Sequence, residues 1–448
     1  MNPASRTDKP RERALTILHG IERGGFVDPL LDEARRGFGV RDSAFILELV
    51  YGVLRNRSLL DWTLDRFSEK PVARTDAWTR NLLRIAAYQL IHLDRVPASA
   101  AVNTATELAK IHGKKSGYVN GLLRTLDRNK IALPLPPVDK PLSRLSVLFS
   151  HPAWLVRRWI ERYGVQAAED ALRNNNRPAP LIVRANILKN TRVELLALLE
   201  EQRAEVRKTS CSTSGVEVLA SPGLTMLPAF REGRFIVQDE AAQLVSMMLS
   251  PQKGETVLDA CAAPGGKATH LAELMGDQGT VVALESDKGR MPRIGENSSR
   301  LGIRIIRPVL GDAAAYNDGA YDRVLIDAPC SGLGVLRRHP DGRWNKTEEG
   351  ISERASLQKK ILKNCAKLVK PGGVLVYATC TTEPEENEEV VRWFLDRHDG
   401  FALDDPRPHL PAAAARLVGS DLFFRTFPAE PSMDGFFGAR IRKKTAGR

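Results

Sequence analysis

The sequence has few cysteines, and none of them forms a C-x-x-C pair. Its 448 residues contain five, at Cys211, Cys261, Cys330, Cys365 and Cys380. An odd, scattered set does not build a disulfide framework and indicates a reducing compartment. Because a structural zinc site usually needs paired cysteines, we predict no metal.

Long apolar runs are also missing. No stretch reaches the ~18 consecutive apolar residues that a membrane-spanning helix needs. The start, MNPASRTDKPRER, is polar and lacks the apolar core of a signal peptide. We therefore expect a cytoplasmic protein with no membrane partner. Apolar residues (43%) and charged residues (27%) occur in ordinary proportions, which excludes wholesale disorder.

Positive charge is in excess and concentrated in the first third of the chain. The net charge is +12, and residues 1–140 hold 23 Lys and Arg against 16 Asp and Glu. A basic surface attracts polyanions, of which nucleic acid is the common case. A solubilising surface explains the charge equally well, so charge alone leaves both interpretations open.

Hydrophobic patterning predicts a multidomain protein. Residues 1–132 show helical spacing throughout, as at Phe45, Ile46, Leu49, Val50, Val53 and Leu54, and predict an all-α bundle. The proline-rich stretch 133–141 predicts a linker. Residues 142–230 mix both patterns and predict a small α+β module. In residues 231–448 strands alternate with helices, which predicts an α/β, Rossmann-like domain with a mainly parallel sheet.

A glycine-rich turn is the first candidate site. It joins the apolar run ending at Leu258 to a predicted helix and consists of Cys261, Ala262, Ala263, Pro264, Gly265, Gly266 and Lys267. Small side chains let a ligand approach the backbone, and free N–H groups at a helix start bind polar groups. The turn is not a phosphate-binding Walker A loop, because Cys261 stands where that motif begins with glycine. An ordinary strand–helix turn remains an open alternative.

Two carboxylates follow at the ends of the next predicted strands. Glu285 lies 20 residues after Gly265, a distance at which an acidic residue commonly binds ribose hydroxyls. Asp312, in a Leu-Gly-Asp turn, has the chemistry to accept hydrogen bonds from an adenine amino group. A surface carboxylate and a turn-forming aspartate are the respective alternatives.

Two cysteines follow two further predicted strands. Asp327 and Cys330 come after the run Val324-Leu325-Ile326, and Cys380 comes after Gly373–Tyr377. Both segments should lie at the carboxyl edge of the sheet, where open α/β sheets bind ligands. Two thiols at equivalent strand ends, with an aspartate beside one, predict thiolate chemistry. The acidic run Glu383–Glu389 is predicted to open a helix and to have no catalytic role.

The candidate segments together resemble a known family. They are, in this order, LDACAAPGGK, ALESD, GD, LIDAPCSG and VYATCT. This set resembles the RNA (cytosine-5)-methyltransferases that use S-adenosylmethionine. The resemblance covers about residues 231–448 and includes DGFFGARIRK. In the first third, FILELVYGVLRN, VPASAAVNTATELAK and YVNGLLR resemble the NusB-like RNA-binding domain. This pairing is similar to the RsmB/Sun type of bacterial ribosomal RNA methyltransferase.

The resemblance implies a role for each candidate residue that faces the cofactor. The turn from Cys261 to Lys267 would wrap the methionine part of S-adenosylmethionine. Glu285, where most relatives have aspartate, would hold the ribose, and Asp312 would face the adenine. Asp327 would lie near the transferred methyl group and the target base.

The resemblance also implies how the thiols act. Cys380 matches the family nucleophile, and Cys330 matches the cysteine that helps to release the product. DNA cytosine-5 enzymes instead use a Pro-Cys cysteine, and Pro329-Cys330 has that form, so the residues alone leave the nucleophile open.

The expected function is cytosine-5 methylation of 16S rRNA, naked or in an early small-subunit particle, by a monomer. The alternatives are the same reaction on tRNA, and an RNA-binding assembly or antitermination factor whose methyltransferase half is inactive.

Overall fold

The computed structural model describes residues 8–35, 37–133, 135–428 and 432–445. The first seven residues of the polar start, and Pro134 of the predicted linker, lie outside the described residues.

The chain forms two compact units. The helical unit comprises the described residues up to Arg177 together with Leu336–Lys346. The sheet unit comprises Pro178–Val335 and the described residues from Thr347 onward. The domain boundaries predicted from the sequence, at residues 132, 141 and 230, differ from the division between Arg177 and Pro178. They stay a prediction.

In the described residues the α-helices are α1 (Lys9–Glu22), α2 (Val27–Arg35), α3 (Val40–Asp65), α4 (Ala77–His92), α5 (Ala98–Ile111), α6 (Ser116–Asn129), α7 (Pro141–Leu148), α8 (Ala153–Asn175), α9 (Arg192–Glu201), α10 (Pro228–Arg231), α11 (Glu240–Leu249), α12 (Gly266–Leu274), α13 (Met291–Leu301), α14 (Gly342–Asn345), α15 (Glu348–Lys367) and α16 (Glu388–Leu395). Over the part of the chain that is described, no helix combines the length and apolarity needed to cross a membrane.

An apolar core holds the helical unit together. The apolar set predicted on α3 supplies Ile46, Leu49, Val50, Val53 and Leu54, each at most 3% exposed. They pack with buried residues of α1, α4, α5 and α6. Burying each such side chain contributes about 1.5–3 kcal/mol. The predicted all-α bundle is confirmed.

One segment of the second half of the sequence packs within the helical unit. We call this segment, Leu336–Lys346, the strap; it includes α14. A carboxylate oxygen of Asp341 accepts a hydrogen bond from the backbone N–H of Val27 (3.2 Å). The indole N–H of Trp344 donates to the carbonyl of Leu54 (2.9 Å). The strap is therefore a structural part of the helical bundle, although its sequence lies next to Cys330.

The strands are β1 (Leu181–Ala185), β2 (Glu205–Lys208), β3 (Gly215–Ala220), β4 (Phe235–Val237), β5 (Thr256–Asp259), β6 (Thr280–Glu285), β7 (Ile306–Leu310), β8 (Tyr321–Asp327), β9 (Val369–Thr379), β10 (Phe401–Leu403), β11 (Phe424–Thr426) and β12 (Phe436–Lys443).

The smaller sheet is antiparallel, in the order β2-β3-β1-β4, and α9 packs on it through Leu195 and Leu199. The Arg184 side chain on β1 is fully buried and forms an ion pair with Glu273 of α12 (2.7 Å). The small α+β module is thus joined to the helix that follows β5.

The larger sheet has the order β10-β12-β9-β8-β5-β6-β7, with β11 paired to β12. Strands β5 to β9 are mutually parallel, and β12 runs antiparallel to β9. The strand order reverses at β5, because β6 lies on one side of it and β8 on the other. Such a reversal opens a crevice at the carboxyl ends of the strands. The predicted Rossmann-like, mainly parallel fold is confirmed.

Candidate active site

Neighbouring strands fix the glycine-rich turn at the carboxyl edge of the large sheet. The N–H of Ala260 donates to Leu325 of β8 (2.8 Å), and that of Ala262 donates to Leu284 of β6 (2.9 Å). Gly265 precedes α12 with φ of +99°, a conformation that glycine adopts without strain. The first N–H groups of α12 have no intrahelical acceptors, so they are available to a ligand.

The predicted ribose and adenine residues lie at the same edge. Glu285 ends β6, is 4% exposed, and accepts hydrogen bonds from the N–H groups of Ala263 (3.2 Å) and Asp287 (2.9 Å). Asp312 follows β7 and is exposed, and it accepts from the N–H of Ala314 (2.9 Å). Asp312 therefore does stabilise a turn, and Glu285 lies directly against the glycine-rich turn.

Lys267 forms an ion pair across the crevice with Asp327. Its Nζ lies 2.5 Å from Oδ2 of Asp327 and 5.5 Å from the ring centre of Phe436. Burial is the largest single effect and lowers the pKa of Lys267, but the charge and hydrogen bond of Asp327, together with smaller effects of Cys380 and Asp259, outweigh it and raise the pKa. A firmly protonated lysine thus holds an aspartate at the end of β8.

The two candidate thiols meet. The parallel register pairs Asp327 of β8 with Ala378 of β9, so both strands end at the same level. The Cys330 and Cys380 sulfur atoms are 3.3 Å apart. The hydrogen bond with Cys380, followed by burial, raises the pKa of Cys330 well above its ordinary value. Cys330 therefore keeps its proton near neutral pH and can donate it toward the Cys380 sulfur.

Sequence reasoning missed Asp259, although it lies within the LDACAAPGGK motif. Asp259 ends β5 and is fully buried, and neither carboxylate oxygen accepts a hydrogen bond of good geometry from any described residue. Burial and the charge of Asp327 raise the pKa of Asp259 to about 7. The charge of Lys267 and the backbone N–H of Cys261 offset this rise only in part, so a cationic ligand at this edge would stabilise the buried carboxylate further. The sequence signal that could have identified Asp259 as a site residue is its position at the end of a predicted strand, which it shares with Glu285 and Asp327.

The backbone around Gly334 lacks room for a side chain. Its N–H donates to the carbonyl of Cys380 (3.0 Å), and its carbonyl accepts from the N–H of Gly435 (2.8 Å). A Cβ at Gly334 would lie 2.0 Å from the carbonyl oxygen of Gly435.

We therefore expect Gly334→Ala to lower the free energy of unfolding by about 1–3 kcal/mol, because this close contact must open. Thermal denaturation checks the change. Gly295→Ala is the matched control: it lies in α13 with nothing within 4 Å of its Cβ, and it should be neutral or slightly stabilising. Equal destabilisation by both variants would contradict the steric explanation.

Three family models match the chain. Residues 8–128 match the NusB family, residues 151–223 match the ferredoxin-like domain of RsmF/B-like methyltransferases, and residues 246–442 match "16S rRNA methyltransferase RsmB/F". The third match contains every candidate site residue described above.

Curated relatives match over almost their whole length. The "Probable ribosomal RNA small subunit methyltransferase B" of Bacillus subtilis is 38% identical, over 97% of this chain and 98% of the relative. The protein of the same name in Synechocystis is 37% identical, over 97% and 99%. The "Ribosomal RNA small subunit methyltransferase B" of Yersinia pseudotuberculosis is 34% identical, over 96% and 97%.

Solved structures agree with the fold. The crystal structure of PH0851 has a TM-score of 0.78 and 31% identity, covering 97% of this chain and 99% of that one. A methyltransferase homologue from Pyrococcus horikoshii has a TM-score of 0.58 and 28% identity, covering 68% and 97%.

The fold and the rim of the crevice define an S-adenosylmethionine-dependent methyltransferase of the Rossmann-like class. Within that class, this chain belongs to the 16S rRNA methyltransferase RsmB/F family.

Proposed function

We propose that the protein transfers a methyl group from S-adenosylmethionine to C5 of a cytosine in 16S rRNA, through a covalent bond between Cys380 and C6. The observation that carries this proposal is the pair of thiols 3.3 Å apart, beside Asp327, at the ends of adjacent parallel strands. The small-subunit RNA named for the relatives, and the NusB-family match in the basic first third, support 16S rRNA as substrate. A monomer in the cytoplasm is part of the same proposal.

The residues at the edge of the sheet suit the cofactor. Asp259 is a buried carboxylate whose pKa is raised, and a cation would stabilise its ionised form; S-adenosylmethionine carries an ammonium and a sulfonium. The turn from Cys261 to Lys267 offers backbone groups to the methionine part. Glu285 would hold the ribose hydroxyls, and Asp312 would face the adenine. When bound, S-adenosylmethionine supplies an electrophilic methyl group.

The chain's own residues activate the base. Cytosine C5 is a weak nucleophile, but addition of the Cys380 thiolate to C6 gives C5 enamine character. The bond from sulfur to C6 forms as the C5–C6 π electrons shift into the ring. Asp327, held by Lys267, is suited to stabilise a proton at N3 of the adduct. The target base must leave its stack to reach these groups.

Release reverses the first step. After transfer, the C5 proton passes to solvent water, its bonding electrons re-form the C5–C6 double bond, and the bond from sulfur to C6 breaks so that Cys380 departs as a thiolate. Cys330, whose sulfur lies 3.3 Å from that of Cys380, is suited to stabilise the departing sulfur by donating a hydrogen bond to it.

Transfer of labelled methyl groups to unmodified 16S rRNA and to tRNA, followed by digestion to nucleosides, tests the proposal. We expect label in 5-methylcytidine from 16S rRNA alone. The same nucleoside from tRNA alone would overturn the substrate, and label in another nucleoside would overturn the chemistry. Absence of label from naked RNA and from early small-subunit particles would favour the alternative, an RNA-binding assembly or antitermination factor.

Cofactor affinity should depend on pH through Asp259. The pKa of the free carboxyl is about 7, and a cationic ligand favours the ionised form, so binding releases a proton. We expect the Kd for S-adenosylmethionine to fall about fivefold from pH 6 to pH 7, by about a further factor of two from pH 7 to pH 8, and to level off above. Isothermal titration at pH 6, 7 and 8 measures this.

Asp259→Asn should abolish the pH dependence and weaken binding about 10- to 100-fold, as expected for loss of a charge-assisted contact. Asp399→Asn, at an exposed position of the sheet unit, is the control and should match the wild type. A wild-type Kd that is constant over this pH range would contradict the proposed role of Asp259.

A further inference from the structure

Two neighbouring residues after β9 hold the backbone around both thiols. Glu386 is fully buried, and its Oε2 accepts hydrogen bonds from the N–H of Ser331 (2.8 Å) and from Nε2 of Gln358 (2.9 Å). The same Nε2 donates to the carbonyl of Pro329 (3.1 Å). The residues on either side of Cys330 are thus held by Glu386 and Gln358 together.

Asn387 holds the backbone around the second thiol, Cys380. Its Oδ1 accepts from the hydroxyl of Thr379 (2.5 Å), and its Nδ2 donates to the carbonyl of Thr381 (3.0 Å). Asn387 is 3% exposed. The residues on either side of Cys380 are therefore held by one amide side chain.

The two loops are also tied to each other and to the sheet. The hydroxyls of Ser331 and Thr381 are 2.8 Å apart. The hydroxyl of Tyr377, inside β9, donates to the carbonyl of Glu386 (2.6 Å). The Glu386–Asn387 dipeptide thus sits between both thiol loops and is anchored to a central strand.

We propose that Glu386 and Asn387 are positioning residues that set the separation of the two sulfur atoms, Glu386 by fixing the loop of Cys330 and Asn387 by fixing the loop of Cys380. This proposal rests on the proposed function, in which the two thiols act at different steps. Both side chains are buried against their own chain, so their effect on the reaction is through the thiols. A misplacement of about 1 Å at a reacting group costs on the order of 100-fold in rate.

Substitution of the two residues should therefore have opposite effects on the amount of covalent protein–RNA adduct. Glu386→Ala moves the thiol that assists release, so we expect kcat to fall about 100-fold while covalent protein–RNA adduct accumulates. Asn387→Ala moves the nucleophile, so we expect a similar fall in kcat without adduct. The KM for RNA should be unchanged in both. Denaturing gel electrophoresis with labelled RNA detects the adduct.

Conservative variants distinguish a loss of positioning from a loss of folding. Glu386→Gln keeps an acceptor oxygen for Ser331 and should recover most of the activity. Asn387→Asp keeps the acceptor for Thr379 but sets a carboxylate against the carbonyl of Thr381, and it should not recover. Glu389→Gln, an exposed acid of the same run, is the control and should behave as the wild type.

A second measurement does not depend on methyl transfer. Diamide, a diazene oxidant, takes two electrons and two protons from a pair of close thiols to give a disulfide and the corresponding hydrazine. Peptide mapping of the full-length protein should show a Cys330–Cys380 disulfide that forms at least tenfold more slowly in Glu386→Ala and Asn387→Ala.

Wild-type oxidation rates in folded variants would overturn the positioning proposal. Slowed oxidation in the variants, together with a wild type that makes neither 5-methylcytidine nor adduct, would support positioning and overturn the proposed function instead. Adduct accumulation in Asn387→Ala but not in Glu386→Ala would overturn the assignment of each residue to its thiol.

Discussion

Cys380→Ala should abolish methyl transfer, on the order of 10⁴-fold or more, whereas Cys330→Ala should trap the protein on its RNA. The first variant removes the sulfur that attacks C6, so C5 never becomes nucleophilic. The second keeps that sulfur but removes the thiol 3.3 Å away that assists its departure. The reaction then stops after transfer, with the bond from sulfur to C6 intact.

Denaturing gels with labelled RNA and S-adenosylmethionine separate the two outcomes. The expected pattern is a covalent band for Cys330→Ala and none for Cys380→Ala or the double variant. Cys211→Ala, which replaces a buried cysteine outside the thiol pair, is the control and should transfer methyl groups without trapping.

A covalent band for Cys380→Ala and none for Cys330→Ala would reverse the two roles. The Pro329-Cys330 sequence, which has the form used by DNA cytosine-5 enzymes, makes this the informative alternative. The resemblance of VYATCT to the nucleophile segment of the RNA (cytosine-5)-methyltransferases is what favours Cys380 as the nucleophile.

Arg343→Ala should lower the free energy of unfolding of the helical unit by about 3–5 kcal/mol. The Arg343 side chain is fully buried in the strap. It donates to the carbonyls of Ser150 (3.2 Å) and Asn175 (3.2 Å) and to Oδ1 of Asn176 (2.7 Å). Burial, with a smaller contribution from Arg55, lowers its pKa to about 9, so it remains charged at neutral pH. Its removal leaves those oxygens without their donors and opens a cavity.

Urea denaturation followed by tryptophan fluorescence measures this loss, because five of the six tryptophans belong to the helical unit and only Trp393 belongs to the sheet unit. Arg343→Lys should be intermediate, since lysine lacks the planar fork of donors. Arg41→Ala, at an exposed position of α3, should match the wild type. An unchanged midpoint for Arg343→Ala would contradict the structural role of the strap.

Much of the candidate site followed from local pattern. Short apolar runs before Cys330 and Cys380 predicted two strands, and parallel strands bring their carboxyl ends to one edge. This rule alone was enough to predict that Cys330 and Cys380 lie at the same edge of the sheet. Glu285 was reached in the same way, from its distance to the glycine-rich turn.

Other features depend on burial, which residue order does not reveal. Glu386 belongs to an acidic run that was predicted only to open a helix, yet it is fully buried and holds the loop of Cys330. Asp259 sits in a recognised motif, but its lack of a hydrogen-bond partner is visible only when its surroundings are known.

The sequence by itself determined the helical bundle, the Rossmann-like fold and the placement of the two thiols at one edge of the sheet, because these depend on hydrophobic period and on residues placed at strand ends. Only the tertiary structure decided that β12 inserts antiparallel beside β9, that Leu336–Lys346 packs within the helical unit, and that Glu386 and Asn387 hold the thiol loops. Each of these rests on contacts between residues distant in the chain or across a loop, whose partners are chosen by packing and hydrogen-bond satisfaction and not by local pattern.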